Sequence, residues 1–225
     1  MLRNGPSPGI APIHRPAFSE GGFSRGVLEI GSAAALSVNT TAYPTETTET
    51  MMTDLSYPIG KFHYEGSISE DQKQKLIDDI SRVPMNLRAA VSGLSDAQLD
   101  TPYRPGGWTV RQVTHHVPDS HMNAYVRFKL GLTENEPTIK PYEQQLWAEL
   151  ADTKSTPIEV SLAMLDSLHD RWVRLLRSLN PEDWKRSFRH PELGLVGLEK
   201  NLALYSWHGR HHVAHITSLR ERNGW

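Results

Sequence analysis

The chain contains no cysteine. Disulfides, thiolate metal sites and thiol nucleophiles supplied by the protein are excluded together, and a reducing, cytoplasmic setting is the expected location. No stretch approaches the ~18 consecutive apolar residues of a membrane-crossing helix, so no membrane partner is expected. There is also no dense Lys/Arg run. With 24 basic and 26 acidic side chains the formal net charge is −2 and the pI about 6.6, so the surface encodes no polyanion-binding face and nucleic acid is not an expected partner. Internal repeats and strand-rich, period-two segments are missing too. Histidine, by contrast, is abundant, with 11 in 225 residues.

Residues 1–52 are rich in Gly, Pro, Ser, Thr and Ala, including Pro6, Pro8, Pro12 and Pro16. They lack apolar periodicity and are expected to form a disordered N-terminal extension. They also lack the compact apolar core expected of a secretory signal. Arg3, Arg15 and Arg25 would suit a transit peptide, but Glu20 and Glu29 oppose it, and Met51 or Met52 is read as an alternative start. The folded domain is expected over 53–225, a length that supports one substantial core.

Helix starts are legible in that domain. Ser69-Glu70-Asp71-Gln72, Ser95-Asp96-Ala97-Gln98 and Thr109-Val110-Arg111-Gln112 read as capping boxes, and Thr156-Pro157-Ile158-Glu159 reads as a fourth with Pro157 at the first helical position. Apolar residues recur at helical spacing behind them: Leu76, Ile77, Ile80, Val83 and Leu87; then Val110, Val113, Val117 and Ala124; then Leu162, Leu165, Leu168, Trp172 and Leu175. A last helix carries Leu198, Leu202, Tyr205, Ile216 and Leu219 and ends near Asn223-Gly224. Pro84 and Pro118 fall inside two of these helices and should bend them. The connectors predict a short helix near Glu143–Leu150 and a turn at His190–Gly194 between two short strands. The expected class is all-α, a four-helix bundle with decorated loops.

The histidines concentrate in two places: His115-His116 with His121, and His208, His211, His212 and His215 in the last helix. His211 and His215 are four apart, one turn along the same face, about 6 Å along the axis. Two imidazoles so placed can converge on one ion at ~2.1 Å. A third ligand must come from another helix, and His116 lies beside the Val110, Val113, Val117 stripe, whereas His115 falls on a more polar side next to Arg111 and Asp119. The spacing therefore selects His116, His211 and His215 as metal ligands, with His208 bordering the same face. His212 stands where an H-E-x-x-H motif would carry its glutamate, so no water-activating base is encoded there. His14, His63 and His169 are read as incidental, and Arg210 and Arg220 as a solvated face.

The segments Trp108-Thr109-Val110-Arg111-Gln112-Val113-Thr114-His115-His116, Asp119-Ser120-His121-Met122-Asn123, Tyr57-Pro58-Ile59-Gly60 and Trp207-His208 through His211-His212-Val213-Ala214-His215-Ile216-Thr217 closely resemble the DinB/YfiT-like family, and its YfiT branch in particular. The resemblance spans about residues 55–225. It implies a four-helix bundle, a homodimer, and one divalent ion per subunit, zinc first and nickel second, on His116, His211 and His215. It further implies a metal-dependent hydrolase, or a relative of the bacillithiol S-transferases, acting on a small-molecule substrate.

Three neutral imidazoles would leave the ion's charge uncompensated and a coordination position open, which favours catalysis over a closed structural site. The expected chemistry is activation of a bound water or of a low-molecular-weight thiol. With no carboxylate at base spacing, the thiol is the reading favoured by the residues. The competing reading is a stress-related, metal-binding bundle without catalysis.

Overall fold

A computed structural model describes residues 54–225; the expectations for residues 1–52 lie outside the described residues. The folded unit is built from α1 (Glu70–Val91), α2 (Asp96–Leu99), α3 (Val110–Thr133), α4 (Gln144–Ala148), α5 (Ala151–Ser155), α6 (Ile158–Arg177), α7 (Pro181–Trp184), the antiparallel hairpin β1 (Ser187–His190) and β2 (Gly194–Gly197), and α8 (Leu198–Asn223). The four long helices form the bundle. α1 packs on α6 and α8, and α3 packs on the other sides of α6 and α8, so α1 and α3 sit diagonally.

Local chemistry sets the starts. In α1 the Ser69 oxygen accepts from the Gln72 amide at 3.2 Å while the Gln72 side chain accepts from the Ser69 amide at 2.7 Å. The same reciprocal pair opens α3 between Thr109 and Gln112, at 3.1 and 2.9 Å, and α2 between Ser95 and Gln98. Each satisfies two amides that the helix cannot. The fourth expected box does not form. Pro157 is the N-cap of α6 and no side chain caps it, because Thr156 is taken as the C-cap of α5 and its carbonyl faces His115. A further box, Asn180 with Asp183, opens α7 instead. Gly224, at φ 66°, closes α8 in the left-handed conformation. The region near Glu143–Leu150 folds as two short helices, α4 and α5, rather than one. Both α1 and α3 run through their prolines as single helices. Arg220 is not a free surface cation: it donates to the carbonyls of Ala90 and Ser92 at the end of α1.

The core is divided. One apolar cluster gathers Ile77, Ile80, Ala124, Phe128, Trp172, Leu198, Leu202 and Tyr205; the other gathers Val83, Leu87, Val110, Val113, Val117, Leu162, Leu165, Ile216 and Leu219. Along each long helix the change of cluster falls in one interval: Ile80 to Val83, Val117 to Ala124, Leu165 to Trp172, and Tyr205 to Ile216. His121, His169, His208, His211, His212 and His215 all fall inside these intervals, and His116 precedes the second by one residue. A histidine layer thus cuts the apolar interior at one level of the bundle. Close approach at this level depends on Gly209, where an added Cβ would lie 2.4 Å from a Val83 methyl and 3.3 Å from the His121 ring.

Candidate metal centre at a histidine-lined cleft

The helical period explains the arrangement on α8. Residues 208, 211, 212 and 215 follow the i, i+3, i+4, i+7 rule and lie on one face. All four line a cleft of about 370 Å³ together with Tyr57, Tyr103, Arg104, Trp108, Gln144 and Trp207. The loop before α3 supplies one wall. There Tyr103 N donates to the Trp108 carbonyl at 3.0 Å, across a tight turn in which Gly106 has φ 68° and Gly107 leaves room for the Tyr103 ring. Tyr103 then stacks on His215 at 3.9 Å between ring centroids. Trp207, one turn up α8, stacks on His211 at 4.3 Å. No aspartate or glutamate lines this cleft among the described residues.

His116, from α3, is buried behind Trp108, 4.6 Å away between ring centroids. It meets α8 at His212 (4.8 Å) and His208 (5.4 Å), and its Nε2 is 3.3 Å from His208 Nε2. One ring nitrogen from each of His116, His208 and His212 lies within 4.8 Å of the other two. His211 and His215 form a second pair on the cleft side, 4.2 Å apart, and the His212 ring stands between the two groups, 5.2 Å from His211 and 5.4 Å from His215. The three residues selected by sequence spacing therefore share one layer, with His212 interposed. The spacing set His208 only at the border of the ligand face and left His212 outside the ligand set, although the two are also four apart; the spacing rule alone cannot rank two overlapping pairs on one face.

Two further histidines were misjudged. His115 is buried, not on a polar face, because α5 and α6 cover that side of α3; its ring meets Ser161 Oγ at 2.7 Å and the Thr156 carbonyl at 3.1 Å. His169 is 2% exposed and hydrogen-bonded through both nitrogens. Asn123 only donates to the Asp119 carbonyl within α3, whereas Ser120 faces His208 Nε2 at 3.4 Å.

The chemistry of the donor set fits a metal ion. Burial lowers His116 to about 3, and lowers His211 and His215 to about 4, with mutual repulsion adding to the effect at His211. Burial also pulls His208 and His212 well below the usual imidazole range. These rings are neutral at physiological pH, as metal ligands must be. The Nδ1 atoms of His211, His212 and His215 are buried without a protein partner, an expensive arrangement unless something else binds them. In His215 the other nitrogen faces the Ser56 carbonyl at 3.3 Å. A carbonyl can only accept, so Nε2 carries the proton and Nδ1 presents its lone pair.

The buried neutral histidines fix a pH dependence. For a base whose folded pKa is depressed, the unfolded chain binds more protons between the two pKa values, so stability is full above the unfolded value of ~6.5 and falls as pH drops below it. His116, near 3, and His169, near 4, each remove up to about 1.4 kcal/mol per pH unit in that window. Urea unfolding of the metal-free protein should give constant stability from pH 8 to 7 and a steep loss between pH 6.5 and 4.5; a flat profile down to pH 5 would show that these rings are not buried as neutral groups.

Residues 79–216 match the family model for the DinB superfamily. The chain belongs to the DinB superfamily. It is 60% identical over 174 residues to a Bacillus mycoides protein provisionally named a metal-dependent hydrolase, a match covering 77% of this chain and 100% of that protein. A Bacillus cereus protein with the same provisional name is 59% identical over the same coverage. Among solved structures, YfiT from Bacillus subtilis, described as a metal-dependent hydrolase by inference and as having an unusual four-helix bundle topology, superposes with a TM-score of 0.75 at 53% identity, covering 76% of this chain and 98% of that one. The four-helix bundle read from sequence is thus the fold of this DinB member.

Proposed function

We propose that this DinB member is a metal-dependent hydrolase or thiol S-transferase of the YfiT type, with a divalent ion, zinc in the first instance, held by His116, His211 and His215. The observation that carries this reading is the histidine layer itself: four neutral imidazoles of α8 line a cleft, three of them with buried nitrogens that no protein group satisfies, and His116 of α3 packs behind them. When bound, the ion would supply Lewis acidity that lowers the pKa of a water or thiol and generates a nucleophile at neutral pH. The protein's own residues bind and orient: Tyr103 and Trp207 hold His215 and His211 by stacking, and Arg104 places a cation on the cleft wall for an anionic part of the substrate. The carboxylate-free lining favours the thiol as nucleophile, since a thiol gives up its proton more readily than water and needs no neighbouring carboxylate base.

One observation favours a second ligand set. His116, His208 and His212 present their nitrogens closest together, and His208 and His212 are also one helical turn apart. Single alanine variants separate the two sets by which pair, His211 and His215 or His208 and His212, is needed to retain the ion. The subunit is proposed to pair as a homodimer, supported by apolar side chains exposed on α1 and α6, Met85, Val160 and Met164; a monomer in sedimentation equilibrium at micromolar concentration would reject this.

The activity is tested on zinc-loaded protein with a panel of activated esters and amides, and in parallel with small thiols plus an electrophile such as a halonitrobenzene. Thioether product that disappears on chelation supports thiol transfer; hydrolysis without thiol dependence supports the hydrolase. Neither product, together with a large fall in melting temperature on chelation, would leave a structural metal and defeat the enzyme reading.

A further inference from the structure

One chain of hydrogen bonds crosses the bundle and touches all four long helices. It begins in α1, where Pro84 has no N–H to give to the carbonyl of Ile80 one turn earlier. That carbonyl instead accepts from His169 Nδ1 of α6, at 2.8 Å. His169 Nε2 faces His121 Nδ1 of α3 at 2.9 Å, and His121 Nε2 faces His208 Nδ1 of α8 at 3.1 Å. His208 Nε2 ends the chain, 3.3 Å from His116 Nε2 and 3.4 Å from Ser120 Oγ. His121 and His169 are 0% and 2% exposed, and both lie outside the cleft lining, so ligand binding does not account for them.

The direction of this chain is forced. A neutral imidazole has one donor and one acceptor. The Ile80 carbonyl can only accept, so His169 is protonated on Nδ1 and its Nε2 is bare. His121 must then donate from Nδ1, and His208 in turn from Nδ1. We propose that His169 and His121 are positioning residues that hold His208 as the Nδ1–H tautomer, so that its bare Nε2 faces the metal site as the hydrogen-bond acceptor for the bound water or thiol. This rests on the metal-site reading above, and it supplies an imidazole acceptor at a cleft whose lining holds no carboxylate. A flipped His208, protonated on Nε2, would offer a donor there and turn the nucleophile's lone pair away from the substrate. Burial keeps His121, at the middle of the chain, neutral, which is what lets a tautomer be passed through it.

The test uses the metal-free full chain labelled with ¹⁵N-histidine, in which long-range ¹H–¹⁵N spectra distinguish the protonated from the bare nitrogen of each ring. His169, His121 and His208 should each appear as a single Nδ1–H tautomer. His169→Phe, which fills the same space without an acceptor, should shift the His121 and His208 tautomer ratios by roughly fivefold, the worth of one net hydrogen bond. His169→Gln, which keeps a donor for Ile80 and an acceptor for His121, should restore them. His208 protonated on Nε2 in the parent, or a His208 tautomer indifferent to His169→Phe in a folded protein, overturns the proposal. Should the Phe variant not fold, the parent spectrum and the Gln variant still decide. Zinc titration separates the two layers of argument. A parent that binds no ion refutes the metal reading while leaving the tautomers as measured. Loss of the ion in His208→Ala makes His208 a ligand and overturns its role as acceptor.

Discussion

His116→Ala should empty the site: zinc content falling from one ion per subunit to nearly none after dialysis at micromolar protein, with the helical circular-dichroism signal retained. The effect is expected to be this large because His116 is the contribution of α3 to the donor set, whereas α8 offers four rings on one face. Removing a partner of a ligand costs about 10–100-fold in affinity, and removing the ligand costs more. The fold should tolerate the change. His116 is a buried imidazole whose charged form is penalised down to about 3, and it has no carboxylate partner to leave stranded. Metal-free stability should therefore change by no more than about 1–2 kcal/mol, the ordinary range for a single substitution. Plasma mass spectrometry on the parent and on the His116, His208, His211, His212 and His215 alanine variants gives both the stoichiometry and the ligand set. Full zinc content in His116→Ala would remove α3 from the site, and with it the proposal that two helices share the ion.

Trp172→Ala should carry the largest loss of stability, about 3–5 kcal/mol. Trp172 is 0% exposed. Its ring lies 5.8 Å from Phe128 and from Tyr205 and 5.7 Å from both His121 and His169, between centroids. It therefore joins α3, α6 and α8 directly beneath the histidine layer. For a domain of this size each kcal/mol moves the melting temperature by about 2–4 °C, so a fall of roughly 6–20 °C is expected in calorimetry of the metal-free protein. Its indole nitrogen is buried without a partner, so no hydrogen bond is lost, and Trp172→Phe should recover most of the deficit. A loss below about 1 kcal/mol for the alanine variant would mean that the layer above, rather than this ring, ties the helices together.

Much of the architecture was legible because its signals are local. Ser69, Ser95 and Thr109 with their glutamines at the third helical position mark helix starts through bonds that span three residues, and these formed. Apolar residues at helical spacing gave the buried faces. The fourth box failed because a short helix that the apolar pattern did not show, α5, already ends on Thr156. Arg220 was misread because its acceptors, on Ala90 and Ser92, are far away in the chain.

The same division runs through the site. The sequence alone determined that histidines from two helices would meet, since His116 lies beside one apolar stripe and the α8 histidines repeat at one-turn spacing; it also determined that the protein supplies no thiolate of its own. It could not order the rings, because residues 208, 211, 212 and 215 share a face and only the placement of α3 decides which of them His116 touches. Nor could it value His169, a lone histidine on the apolar face of its helix, whose partners lie in α1 and α3. That residue gained its meaning only when Pro84 left a carbonyl free in one helix and the packing of the other three brought His169, His121 and His208 into hydrogen-bonding distance. Covalent neighbours fix propensity and facing. Which nitrogen meets which is set by the packing of four helices at one level, and that is tertiary information.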